Sequence, residues 1–389
     1  MIYLDYNATT PLCGPAHEAM LPYLYEHFGN ASSIHAAGRE ARAAIDDARD
    51  RLAALLGAKP HELIFTGSGT ESNNLGVLGL ARSHRDRGRH LICSNVEHHA
   101  VLHAFEYLQQ NEGFEVTFLP VDSAGSVDPA ELARSIRSDT TLVSIMSANN
   151  ETGVIQPMRD IAEICRTGGV LLHSDMVQAF GKFRADLANA PLDAASFSAH
   201  KFYGPKGAGL LYLRAGISIE SIQFGGAHEN QRRPGTENVA AIAGMAAAAE
   251  WAVRDMETEQ ERQTVLRDTL WEGISHSFPS AQQNAADAPR LANTLNVSFP
   301  GLDSETLLMA LDLEGICASS GSACMVGSVV ASHVLLAMGM TPAIARSAVR
   351  FSLGKQTTAA EIEAAVESSA RVCQRLSRHA PQPESYAVA

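Results

Sequence analysis

At 389 residues, with 46% hydrophobic and 19% charged side chains, the chain exceeds one ordinary core and has the make-up of a globular enzyme, so two domains are expected. A net charge of -13 argues against nucleic acid as the main partner: phosphate backbones call for clustered Lys and Arg, and Arg232-Arg233 is the only basic pairing of note. The start MIYLDYNATTP lacks the basic and apolar stretches of a signal peptide, and the uncharged run from 315 to 345 is broken by Ser, Gly, His333 and Pro342, so no membrane span is read.

From residue 63 onward, apolar runs alternate with helical patterns. LIFTG, HLICSN, EVTFLPV, TTLVSIM, VLLHSD, ASFSAH and GAGLLYLR predict strands, and ESNNLGVLGLARSHRDRG and DIAEICRTGG predict helices between them. This predicts an α/β large domain with a mainly parallel seven-stranded sheet covered by helices on both faces. Residues 238 to 278 predict a long alanine-rich helical stretch, apolar first and charged later, leaving that domain. Beyond it, TLNVSFP, SETLLMALDLEG, ICASS, SHVLLAMG and SAVRFSLG predict strand, helix, strand, helix and strand. A last helix opens on the capping-box pair Thr358 and Glu361, completing a smaller α+β C-terminal domain before the loose tail APQPESYAVA. The six cysteines (13, 93, 165, 317, 324 and 373) form no CxxC pair, which suits a reducing cytoplasm, and most are expected in the core.

Ligands of open α/β sheets gather beyond the carboxyl ends of the strands. After LIFT, Gly67-Ser68-Gly69-Thr70 runs into a helix whose free N–H groups suit a single phosphate; a dinucleotide fingerprint fails at Ser72, and a plain glycine turn is an equal reading of this motif alone. After VLLHS comes Asp175, with Gln178 one turn on; by itself Asp175 reads equally as a helix cap. The chain has 25 arginines and only five lysines, at 59, 182, 201, 206 and 355, so Lys201 in SFSAHKFYGPKG asks for chemistry that arginine cannot do. A lysine amine can lose its proton and attack a carbonyl. Lysine and aspartate at neighbouring strand ends are the protein's share of pyridoxal phosphate chemistry.

VEHHAVLH offers His98 to stack on a flat ring; His99 and His103 have the spacing of a metal pair but neither HExxH nor a Cys/Asp cluster beside them. Cys324, in ASSGSACMVGS, has little apolar packing to do and suits a thiol that travels between partners. Arg350, inside the apolar strand AVRFSLG, must meet an anion, either an internal acid or a substrate carboxylate.

Ten ordered stretches carry a resemblance over nearly the whole chain: LDYNATTP, FGNASSIHAAGREAR, TESNN, EHHAVL, NNETGVIQP, SFSAHKFYGPKG, RRPGTENV, SSGSAC, SHVLLAMG and RFSLG. With them the sequence resembles the NifS/IscS-like cysteine desulfurases of the class V aminotransferase superfamily, which are fold-type I pyridoxal-phosphate enzymes. The resemblance implies that Lys201 forms the Schiff base with pyridoxal 5'-phosphate, that Asp175 pairs with the ring nitrogen, that Gln178 binds the phenolic oxygen and that His98 stacks on the ring. It implies a phosphate held by Gly69, Thr70, Ser198 and His200, with Thr236 reaching in from the other subunit of a homodimer. Asn150, near cofactor and substrate, and Arg350 would bind the carboxylate side of L-cysteine. Cys324 would take the sulfur as a persulfide and pass it to an iron-sulfur scaffold protein or another acceptor, with transient ligation of a cluster as a further implied role.

The implied organisation is a segment 1–15 packing with the small domain, a cofactor-binding large domain 16–255 and a small domain 256–389 carrying the persulfide cysteine. The chain departs from the family pattern at Met176, between the two cofactor ligands, and at Met325, Val326, Val330 and Ala331 after the cysteine. These leave the cofactor motifs intact and bear on the acceptor; by the resemblance, the undeleted spacing from Cys324 to Arg350 favours the family members with a long loop there, which hand sulfur to iron-sulfur scaffold proteins. Alternatives are a selenocysteine lyase, an aminotransferase of the same fold, and a non-catalytic assembly scaffold.

Overall fold

The computed structural model describes residues 1–183, 187, 191–320 and 331–378. The chain starts with strand β1 (Ile2–Tyr3) and helices α1 (Gly14–Tyr25) and α2 (Ala36–Leu56). The strands and helices of the large unit follow as β2 (Leu63–Thr66), α3 (Gly69–Ser83), β3 (His90–Ser94), α4 (His99–Asn111), β4 (Glu115–Leu119), α5 (Pro129–Ser135), β5 (Thr140–Ser144), α6 (Met158–Gly168), β6 (Leu171–Asp175), β7 (Ala194–Ser198) and β8 (Gly209–Leu213). The seven strands from β2 to β8 form one sheet in the order β2-β8-β7-β6-β5-β3-β4. Every pair is parallel except those of β8, which runs antiparallel to β2 and β7.

Every residue of β2, β3 and β5 to β8 is buried, as expected where helices cover both faces; only the edge strand β4 is partly exposed. One face packs on a core that includes Ile45, Leu52, Ile92, Val143 and Phe197, the other on one that includes Leu75, Leu80, Phe105, Leu142 and Leu211. The elements before residue 63 have no counterpart in the strand-based reading of the sequence. Helix α2 buries Ala41, Ile45, Ala48 and Leu52 along one stripe and stops at Gly57, in the left-handed region at φ 66°.

The stretch 238 to 278 is two helices, α7 (Val239–Arg254) and α8 (Met256–Ser277), not one. They break at Asp255, at φ -121° and ψ 31°, where the buried alanine face of α7 gives way to charge; aspartate is a poor interior helix residue. The chain then forms β9 (Gln282–Gln283), β10 (Thr294–Ser298), α9 (Ser304–Leu313), β11 (Ile316–Cys317), α10 (His333–Ala337), α11 (Pro342–Ala345), β12 (Ala348–Ser352) and α12 (Ala359–Ser377). The Thr358 and Glu361 capping box is formed at the start of α12. Strands β9, β10 and β12 make an antiparallel sheet whose core of Leu270, Val297, Phe299, Phe351 and Ile362 also takes in Leu4 from the amino end of the chain. Strand β1 pairs in parallel with β11, Ile2 opposite Ile316. Cys13, Cys93, Cys165 and Cys373 are buried and unpaired.

Candidate active site

The chain order of the parallel strands reverses between β3 and β5, and the segments that leave the carboxyl ends of β2, β3, β5, β6 and β7 wall a cavity of about 350 Å³. Gly69, Thr70, His98, Asn150, Asp175, Gln178, Ser198, His200, Lys201 and Arg350 all line it. Thr236 does not: it is exposed in the loop before α7. Cys324, with Met325, Val326 and Val330, lies outside the described residues.

At one end stands the N-terminus of α3, capped by the Ser68 hydroxyl, which accepts from Glu71 N at 3.1 Å. A Cβ added to Gly69 would fall 3.0 Å from Ser198 Cβ and 3.5 Å from its hydroxyl oxygen, so the absence of a side chain lets that hydroxyl stand against the helix end. His200 closes this corner; burial, with Lys201 and Lys206 adding to it, pulls its imidazole down to about 4, so the ring is neutral at pH 7. Helix N–H groups, hydroxyls and a neutral imidazole form a donor set for a phosphate dianion.

In the middle, Asp175 ends β6 with one carboxylate oxygen accepting from Asn73 Nδ2 at 2.6 Å and the other from Val177 N at 2.9 Å. His98 caps α4: its Nδ1 accepts from Ala100 N at 3.1 Å. Burial above all holds His98 below the ordinary imidazole range, against the pull of Asp175. A neutral ring that accepts at Nδ1 carries its proton on Nε2. Lys201 sits in the short turn after β7, and its Nζ donates to the carbonyls of Asn7 at 2.6 Å and Ala8 at 2.8 Å.

At the far end, Arg350 meets the internal acid that its apolar strand requires: Nη2 is 2.7 Å from Asp5 Oδ1, and Nη1 donates to the Asn150 carbonyl at 2.9 Å. Its Nε, and Oδ1 of Asn73, are buried without a hydrogen-bond partner among the described residues, and both side chains line the cavity. Buried polar atoms left open in this way mark room for a polar ligand. Glu151 is buried beside them; burial raises its carboxyl, and its Oε2 accepts from the Ser332 hydroxyl.

Sequence reasoning passed over Asp5, Asn7, Asn73 and Glu151. Asp5 and Asn7 lie in LDYNATTP and Glu151 in NNETG, stretches that carried the resemblance without a role for these residues. Asn7 is the hub: its side chain donates to the Asn150 carbonyl at 3.2 Å and to Thr294 Oγ1 at 2.9 Å, and its own carbonyl also accepts from Gln178 Nε2 at 2.9 Å.

A phosphate cradle, a carboxylate placed for a ring nitrogen and a lysine at the next strand end fit pyridoxal phosphate. The family model for aminotransferase class-V matches residues 2–365. A curated relative from Dictyoglomus turgidum, called cysteine desulfurase IscS, is 44% identical over 387 residues, spanning 100% of this chain and 98% of the relative. Another of that name, from Methanosarcina thermophila, is 44% identical over 386 residues, spanning 99% and 95%. Among solved structures, a NifS-like protein superposes with a TM-score of 0.90 at 38% identity, covering 97% of this chain and 99% of that one. A structure of SspA in complex with cysteine gives a TM-score of 0.81 at 34% identity, covering 91% and 99%.

Proposed function

The chain belongs to the class-V aminotransferase family and is a cysteine desulfurase, and from that premise we propose that its cavity holds pyridoxal phosphate and L-cysteine while Cys324 takes the sulfur. The observation that carries this assignment is the placing of Asp175 and Lys201 at adjacent strand ends on the cavity that the N-terminus of α3 closes. Gly69, Thr70, Ser198 and His200 bind the phosphate, Asp175 pairs with the ring nitrogen, Gln178 meets the ring oxygen and His98 covers the ring face. Bound there, pyridoxal phosphate supplies an electron sink for the pair left at the substrate's Cα.

Arg350 binds the substrate carboxylate, with Asn150 beside it. Lys201 Nζ takes the Cα proton and returns a proton to the product. The Cys324 thiolate attacks the substrate sulfur: an S–S bond forms, the Cβ–S bond breaks, and its electron pair stays on the substrate carbon, which is protonated to give L-alanine. The carbon is reduced and the sulfur oxidised to the persulfide level, so no external oxidant is needed. Ser319, whose backbone pairs with Arg350 on β12, anchors the approach of Cys324. The five residue steps from Ser319 to Cys324 span roughly 17 Å when extended.

A second copy of the chain completes the enzyme. Tyr25, Phe28, Ile34 and Phe224 are each at least 84% exposed, far more than isolated surface residues of their kind need to be. The Ser32 hydroxyl lies 3.2 Å from His228 Nε2, which brings the segment 28–34 beside the segment that runs to Thr236. A homodimer across this face covers the apolar groups and carries Thr236 to the partner's phosphate. Among the described residues no helix is long and apolar enough to cross a membrane.

The deciding experiment gives the purified protein L-cysteine and a thiol reductant and quantifies sulfide and alanine. Equal amounts from the unmodified protein and almost none from Cys324→Ala are expected. Alanine formation that survives the substitution would overturn the role of Cys324 and favour a selenocysteine lyase.

A further inference from the structure

Three of the five lysines, Lys182, Lys201 and Lys355, line the narrow space behind the cavity. Lys355 stacks on Trp251, 4.3 Å from the ring centroid, and donates to its carbonyl. Lys201 belongs to the site described above. Lys182 has no place in that chemistry, yet it sits four residues past Gln178 in a run of turns, and its amine points inward although part of the residue reaches the surface.

Its Nζ donates to Asn7 Oδ1 at 2.8 Å and to Gln178 Oε1; neither partner is a carboxylate. Burial, with Lys201 and Arg350 adding to it, drives the amine far below the ordinary lysine range. Its N–H groups meet two amide oxygens and, through these contacts, no carboxylate. Gln178 then has its orientation decided. With Oε1 held by Lys182, its Nε2 is the edge that remains for the Asn7 carbonyl and for the cavity.

We propose that Lys182 is a positioning residue that fixes the Gln178 amide with its N–H edge toward the cavity, so that the oxygen of the cofactor ring meets a donor. The proposal rests on the reading of the cavity as the pyridoxal phosphate site. Without Lys182 the amide can turn over, and its carbonyl would face the anionic ring oxygen.

The test is a double-mutant cycle on the full chain, with pyridoxal phosphate titrated into cofactor-free protein and followed by the absorbance of the bound cofactor. Lys182→Met is expected to weaken binding roughly ten- to a hundredfold, the scale of one lost hydrogen bond to a charged oxygen, and to move the absorption maximum. In a Gln178→Leu background the same substitution should change affinity less than twofold, because its route is already gone. A purely structural role would lower the melting temperature of the cofactor-free protein and leave the absorption maximum unmoved. Equal effects of Lys182→Met in both backgrounds, or binding and spectrum like the unmodified protein, would overturn the proposal. If the Met variant does not fold, Lys182→Ala, which likewise removes the donor, enters the same cycle under the same criteria. Failure of the unmodified protein to bind the cofactor would sink the site assignment and this proposal with it; normal binding with an additive cycle sinks this proposal alone.

Discussion

The buried Arg350 and the half-buried Asp5 form an ion pair, Nη2 to Oδ1 at 2.7 Å, across the join between the amino end of the chain and the sheet of the small unit. The pair neutralises one edge of the guanidinium and leaves Nε open, so the arginine is held in place without being used up. A guanidinium has donors enough for both an internal acid and a substrate carboxylate.

Removing Asp5 should therefore be felt before any chemistry begins. Asp5→Ala leaves a buried cation unpaired and is expected to cost about 3 kcal/mol of stability, read from urea unfolding of the cofactor-free protein. A loss under 1 kcal/mol would mean that water reaches Arg350 and that the pair contributes little.

Gly69→Ala tests the phosphate cradle. The new Cβ would meet Val177 Cγ2 at 2.9 Å and Ser198 Cβ at 3.0 Å, so Ser198 must shift from the helix end. Overpacking of this kind costs about 1–3 kcal/mol. The apparent affinity for pyridoxal phosphate should fall with it, and unchanged affinity would place the phosphate elsewhere.

Glu97, next to His98 in the chain, gives the pH dependence. Burial raises its carboxyl to about 8, against the donors Ser94 Oγ and Met146 N. The folded chain thus keeps a proton that the unfolded chain loses near the ordinary glutamate value. Its contribution is fully present below about pH 4.5 and is lost as pH rises toward 8, at about 1.4 kcal/mol per pH unit within that window. Subtracting the Glu97→Gln stability profile from that of the parent protein between pH 5 and 8 should give this falling slope. A flat difference would show that Glu97 is ionised in the fold.

The seven strands of the large sheet were legible because strands covered on both faces are nearly continuous apolar runs. That β8 runs antiparallel was not, since GAGLLYLR looks the same in either direction. Helices α1 and α2 escaped a reading anchored on strands. Lys201, Asp175 and the Gly69 turn could be found because each follows its strand directly. Asn73 was missed because its link to Asp175 spans 102 positions in sequence, and an asparagine on a helix announces no partner. Asp5 and Asn7 were missed for the same reason, with partners as distant as Arg350 and Thr294.

The pairing of β1 with β11, Ile2 opposite Ile316, sets a timetable for synthesis. The residues that hold Lys201 and Arg350 leave the ribosome first, while the strands that receive them are translated near the end. At roughly 5–20 residues per second that interval is about 15 to 60 s. Through it the large sheet can collapse, but Asn7 has no Thr294 to bond and Asp5 no Arg350. A nascent chain stalled before β10 should therefore already resist proteolysis across the large sheet while its first five residues remain open to cleavage.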